Sequence, residues 1–159
     1  HPRGAKQKLK RRAQWSAVAF LQKELPVPVY GNGDVGDAAG LLARTAEGTK
    51  GGDGGWAGVM VGRAAVSQPW IFAQARGLAP ESIDRQAVGL EFIRLLQEYQ
   101  PQEFWRSRLH RFFEYYTSQL VWGHRLNTAI AQMTEPAQVQ DALINYFLTH
   151  PEEKNIEFA

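Results

Sequence analysis

Only two stretches of this chain read as buried strands, Val27-Pro28-Val29-Tyr30 and Ala57-Gly58-Val59-Met60-Val61. Two strands are too few for a parallel sheet with a core of its own, because such sheets are covered on both faces and usually hold several strands. Two options follow: the strands are the tail of a larger α/β domain, or they pair with another chain. The opening His1-Pro2-Arg3 has the look of a chain entered midway, and the expectation is a fragment. Pro28 suits a strand only at its start or along an edge, where the missing N–H breaks no ladder bond.

Around these strands the periodicity is helical. A first helix is expected over residues 12–25, from Ala17, Val18, Leu21 and Leu25, with Pro26 ending it. Asp37 suits the N-cap of a second helix that packs Leu41, Leu42 and Ala43. A glycine-dense loop over 48–55, charged only at Lys50 and Asp53, leads into the second strand. A third helix is expected over 65–76, ending at Gly77, with Pro69 marking a new start inside it. Beyond Pro80 the segments 83–99, 103–122, 126–133 and 136–148 are all helical in period, and no strand signal remains. The expectation is an α/β part over 1–78 and an all-α part over 79–159.

Composition closes off several functions. There is no cysteine among the 159 residues, which removes disulfides, thiolate metal sites and a cysteine nucleophile. No apolar run approaches the roughly 18–20 residues of a membrane span, and no signal-peptide pattern is visible, so a cytoplasmic, membrane-free protein is expected. His110 and His124 stand without a ligand set, and no Ser/His/Asp constellation stands out. Glu152, Glu153 and Glu157 read as a solvated acidic tail. The formal charge of +2 hides an asymmetry: Arg3, Lys6, Lys8, Lys10, Arg11 and Arg12 all precede the first acid, Glu24. Such a block either attracts phosphate or is a solvated terminus.

Both strands run into glycine and then into a helix, at Gly31-Asn32-Gly33-Asp34 and at Gly62-Arg63. In α/β folds ligands sit beyond the carboxyl ends of the strands. Glycine there admits positive φ and lets backbone N–H groups approach an anion, while a helix N-terminus adds partial positive charge. Arg63 suits a bidentate pair with phosphate oxygens. Two strand–loop–helix units of this kind fit the last strands of a (β/α)₈ barrel, where phosphate is usually held. Gly31, Gly33 and Gly36 also match the dinucleotide fingerprint, with Arg63 where its acid is expected. The plain alternative is that these glycines only make tight turns.

In the second part, a helix over 103–125 at about 100° per residue puts Trp105, Leu109, Phe112, Tyr116 and Leu120 on a core face. Arg108, Arg111, Tyr115, Gln119, Trp122 and Arg125 fall mostly on the adjoining side. Bases interleaved with aromatics either contact phosphates and stack on nucleobases, or snorkel along a half-buried face.

Several of these residues together resemble the bacterial tRNA-dihydrouridine synthases. The likeness is carried by His1-Pro2-Arg3, then Pro28-Val29-Tyr30-Gly31-Asn32-Gly33-Asp34, then Gly58-Val59-Met60-Val61-Gly62-Arg63-Ala64-Ala65 and Pro69-Trp70-Ile71-Phe72. Order and spacing match the C-terminal half of that family. Arg106, Arg108, Tyr116 and Asn145-Tyr146-Phe147 are similar in character to its helical RNA-binding domain. The resemblance implies the last strands of a flavin-binding TIM barrel over 1–78 and a helical tRNA-binding domain over 79–159. It also implies reduction of uridine in tRNA to 5,6-dihydrouridine, with FMN as cofactor and NADPH as reductant.

By the same resemblance His1, Arg3, Asn32, Gly33, Asp34, Gly62 and Arg63 would hold the flavin, with His1 near the uracil edge. Arg106, Arg108, Arg111, Tyr115 and Arg125 would face the RNA. The family's protonating cysteine and flavin-contacting lysine belong to earlier strands and have no equivalent here. The usual His-x-Arg-Thr reads His-Pro-Arg-Gly, and residues 48–55 lengthen a loop. The expectation is that no catalytic residue lies within this chain, which needs the N-terminal half of a barrel as partner and alone is inactive. The alternatives are another FMN- or phosphate-binding TIM-barrel oxidoreductase, and a non-catalytic RNA-binding remnant.

Overall fold

The chain divides between Leu78 and Ala79 into two units, and the computed structural model describes residues 2, 12–50 and 55–158. In the first unit the order is α1 (Trp15–Glu24), β1 (Tyr30–Asn32), α2 (Ala38–Lys50), β2 (Gly58–Met60), α3 (Arg63–Ser67) and α4 (Ile71–Ala75). β1 and β2 pair in parallel, Tyr30 opposite Gly58 and Asn32 opposite Met60. Side chains alternate across a strand, and among the described residues one face of this sheet is covered and the other is not. Val59 packs with Leu41, Ala64 and Ile71, joined by Val35, Ala38 and Val61. On the other face Tyr30 is 66% exposed and Met60 56%.

The first strand begins at Tyr30, three residues later than the sequence suggests. Val27 and Pro28 are exposed, and the approach is tied to α1: Gln22 Oε1 accepts from Val29 N (2.7 Å). The ladder starts beyond Pro28, whose missing N–H cannot join it. α1 also turns a different side inward than expected. Trp15 and Val18 are buried, whereas Leu21 and Leu25 are exposed, because the Trp15 ring docks on Gly31. A Cβ at Gly31 would lie 2.2 Å from that ring.

The expected 65–76 helix is two short ones, interrupted at Gln68-Pro69-Trp70. Gln68, held out of the helical region before proline, has φ −132° and ψ 74°. Pro69 does mark the new start. Gly77 ends α4 at φ +64°, with Leu78 N bonding to Ala73 O (2.8 Å) and Gly77 N to Gln74 O (3.0 Å), a Schellman closure. Asp37 caps α2 as expected, Gly40 N donating to Oδ1 at 2.7 Å.

The second unit carries β3 (Ser82–Asp84), α5 (Arg85–Tyr99), α6 (Trp105–Tyr116), α7 (Gly123–Ile130), α8 (Pro136–Thr149) and β4 (Asn155–Glu157). It is not all-α: β3 and β4 form an antiparallel pair with Ile83 opposite Ile156. Each strand holds a single apolar residue, too little for an alternation signal. Asp84 caps α5, Ala87 N donating to Oδ1 at 2.9 Å, and a capping box of Glu135 and Gln138 starts α8. Phe113, Tyr116, Leu109, Ile93, Ile130, Val139 and Leu143 form the core. Phe92 stacks on Phe112 with ring centroids 3.6 Å apart, and Phe113 meets both edge-on.

The helix expected to run on to Trp122 stops at Tyr116. Thr117 Oγ1 donates back to Phe113 O (2.7 Å), a 3₁₀ turn spans Thr117–Gln119, and Leu120 is extended. The chain then folds so closely on itself that a Cβ at Gly123 would sit 1.8 Å from Thr117 O. The acidic tail is only partly solvated: Glu153 is 6% exposed. It accepts from Val121 N (2.7 Å) and from the Tyr146 hydroxyl (2.6 Å). Among the described residues no helix is long and apolar enough to cross a membrane.

Candidate functional site

Parallel pairing makes both glycine loops of the first unit leave the sheet at one edge, because Asn32 and Met60 are side by side at the strand ends. Beyond Asn32 the backbone turns left-handed at Gly33 (φ 128°) and Asp34 (φ 57°). Aspartate is among the few residues that tolerate this region. Two bonds brace the loop. Trp15 Nε1 donates to Gly33 O at 3.1 Å, buried, and Ala13 N donates to Asp34 Oδ2.

Trp15 was not apparent as a site residue from its spacing, although an indole one helix before Gly31-Asn32-Gly33 was the available signal. Its ring leans on Trp56 (centroids 4.9 Å apart) and carries the Arg44 guanidinium 4.9 Å above it. Trp56 Nε1 in turn donates to Arg44 O (3.1 Å).

Beyond β2, a Cβ at Gly62 would have nothing within 4 Å among the described residues. Arg63 is exposed and, among the described residues, pairs with no carboxylate. The helix behind it has five residues, so its dipole adds little and the positive charge at this edge is chiefly that of Arg63, with the Asp34 carboxylate on the neighbouring loop. Gln68 Nε2 reaches Gly36 O (3.4 Å), joining the two loops. Asn32, Gly33, Asp34, Gly62 and Arg63 therefore share one edge. His1 and Arg3 lie outside the described residues, as do Lys6, Lys8, Lys10, Arg11 and Asp53. Among the described residues no three of His, Asp and Glu are grouped to hold a metal ion.

In the second unit Arg106, Arg108, Arg111 and Arg125 are all exposed and Tyr115 is half-buried. On α6 at about 100° per residue, Arg108, Arg111 and Tyr115 lie within about 60° of one another, while Arg106 falls about 160° from Arg108 on the opposite flank. Arg125 belongs to α7, where its guanidinium lies 4.9 Å over the Trp122 ring. None of these arginines pairs with a carboxylate among the described residues. On α5, by contrast, Arg94 is taken up by Glu91 and Glu98.

Tyr116, Tyr146 and Phe147 are buried and belong to the core rather than to a surface. Burial pushes the Tyr116 phenol well above its usual range. Burial first, and then the hydrogen bond to Glu153, does the same to Tyr146. His110 Nε2 lies 2.9 Å from Met133 O, a structural tie between α6 and the turn after α7.

The family model "Dihydrouridine synthase (Dus)" matches residues 1–145. Relatives include probable tRNA-dihydrouridine synthases of Mycobacterium leprae (37% identical over 46% of this chain and 18% of that protein) and Rhodobacter capsulatus (38%, over 55% and 25%). Another, from Aquifex aeolicus, is 35% identical over 65% of this chain and 32% of its own length. The chain belongs to the dihydrouridine synthase family. It spans less than a third of the length of each of these three relatives.

Proposed function

We propose that this chain is the flavin-phosphate grip and the RNA-binding portion of a flavin-dependent tRNA-dihydrouridine synthase, an oxidoreductase acting on uridine in tRNA with NADPH as reductant. The observation that carries this is the convergence of two glycine loops and Arg63 on one edge of a parallel sheet, in a chain whose family match runs through both units. Tyr30 and Met60 are exposed on one face of the sheet, the face that the earlier strands of a TIM barrel would cover.

The residues at the edge fit FMN. Arg63, which pairs with no carboxylate among the described residues, suits the phosphate, the absence of any described atom near a Cβ at Gly62 lets that group approach the backbone, and Asn32 and Asp34 offer partners for ribityl hydroxyls. FMN, when bound, supplies the hydride chemistry for reducing the uracil ring. This chain's own residues hold and orient. Having no cysteine, they do not supply the protonating acid that the family resemblance implies. Arg108 and Arg111, with Tyr115 beside them, would take tRNA phosphates. Since tRNA is the substrate, the setting is cytoplasmic.

The purified 159-residue chain is expected to be colourless and without turnover. It should still bind a tRNA transcript, and Arg108→Ala with Arg111→Ala should weaken that binding and flatten its salt dependence by about two charges. A yellow, active chain would overturn the division of labour. Affinity unchanged at low salt in the double variant would overturn the RNA face.

A further inference from the structure

The corner between the 3₁₀ turn after α6 and the start of α7 is unusually apolar for its position. Val121 is 71% exposed and Trp122 42%, in a link that is firmly held rather than loose. Val121 N donates to the buried Glu153 carboxylate (2.7 Å), which also takes the Tyr146 hydroxyl (2.6 Å). Gly123 N bonds to Leu120 O (3.1 Å), and Arg125 N to Trp122 O (2.9 Å). The close approach of Gly123 to Thr117 O fixes the bend. A large indole is thus presented to solvent by a backbone bonded internally at Val121 N, Trp122 O and Gly123 N.

One partner chemistry matches what surrounds that indole. The Arg125 guanidinium lies 4.9 Å over it, and Arg125 has no acidic partner among the described residues. The neighbouring carboxylate, Glu153, faces inward and is committed. With the His124 ring tilted against it 6.3 Å away, what faces outward is a partly exposed indole under a guanidinium that no carboxylate among the described residues matches, complementary to a flat heterocycle attached to a phosphate. Bases inside a duplex are already stacked and cannot reach such a surface, whereas unpaired bases stack readily on aromatic rings and on guanidinium planes.

We propose that Trp122 and Arg125 form a stacking platform for an unpaired nucleobase of the RNA, Arg125 also pairing with an adjoining phosphate. This rests on the reading that the chain binds tRNA. It adds a contact that Arg108 and Arg111 do not provide, one that selects unpaired from paired RNA.

The test measures binding of the 159-residue chain to a tRNA transcript and to a fully paired RNA duplex, across a salt series. Trp122→Ala is expected to weaken tRNA binding roughly five- to hundredfold, the effect of losing one stacked base. The salt slope should stay unchanged and duplex binding should be unaffected. Trp122→Phe should restore most of the affinity, and Arg125→Ala should lower the slope by about one. Because Trp122 is exposed, the melting temperature of each variant is measured alongside; should Trp122→Ala unfold, the proposal then stands or falls on Trp122→Phe and Arg125→Ala. Wild-type binding to tRNA with Trp122→Ala indistinguishable from it overturns the platform and leaves the RNA reading intact. Equal losses on tRNA and duplex also overturn it. A wild-type chain that binds no tRNA overturns both.

Discussion

The two units are close in length, 78 and 81 residues, yet they bury very different amounts of themselves. Six apolar side chains are buried among the described residues of the first unit, from Trp15 to Ile71, against thirteen in the second, from Ile93 to Phe147. Four helices enclose a core from all sides. A two-stranded parallel sheet backed by helices on one side leaves Tyr30 and Met60 in solvent. Similar length thus goes with unequal closure: among its described residues the first unit has the elements of an α/β fold with no second layer over Tyr30 and Met60.

The largest expected effect follows directly. Residues 79–159 expressed alone should unfold in one cooperative transition in urea, monitored by far-UV circular dichroism. Residues 1–78 alone should show no such transition. A cooperative transition in 1–78 would mean that its exposed sheet face needs no cover.

How far the sequence disclosed this differs by region for the same physical reason. Helix existence was legible wherever a core face repeated at helical spacing, as in Leu109, Phe112 and Tyr116, all buried. Helix ends were not, where close backbone approach decides them: nothing in the spacing of 103–122 reveals that Thr117 and Gly123 must touch. β3 and β4 were invisible because each contributes one apolar residue and its partner lies some seventy positions away. At the candidate site, the glycines and Arg63 announced themselves as a motif. Trp15 did not, since its role is to brace Gly33 from another element. Glu153 reads as one acid among several until its two buried bonds are seen.

Alkaline pH should distinguish the units by their tyrosines. Tyr116 and Tyr146 are buried in the second unit, and Tyr116 donates to Arg85 O at 2.5 Å. Tyr30 of the first unit is exposed. A phenol whose folded pKa is raised above the unfolded value of about 10 favours the folded state below that pH. Its contribution is lost as pH climbs from there toward the folded value. The urea midpoint of residues 79–159 should therefore be level from pH 7 to 9 and fall steadily above pH 10. Tyr146→Phe should make the fall shallower. An unchanged slope in that variant would mean that the phenol is not what couples the core to pH.

The smallest effect is expected at the most conspicuous ion pairs. Arg94 bonds to both oxygens of Glu91 at 2.8 Å and also to Glu98. It is this contact first that holds the Glu91 carboxyl below its usual range. All three side chains are largely exposed, and exposed pairs lose most of their Coulomb gain to solvent and to side-chain ordering. Arg94→Ala should leave the melting temperature of the second unit unchanged within error at pH 7, in low and in 0.5 M salt. It should also leave the salt dependence of tRNA binding untouched, because its charge is already matched by Glu91 and Glu98, whereas Arg108 and Arg111 pair with no carboxylate among the described residues. A clear drop in melting temperature would show that surface charge, and not the closed aromatic core, is what sets the second unit apart from the first.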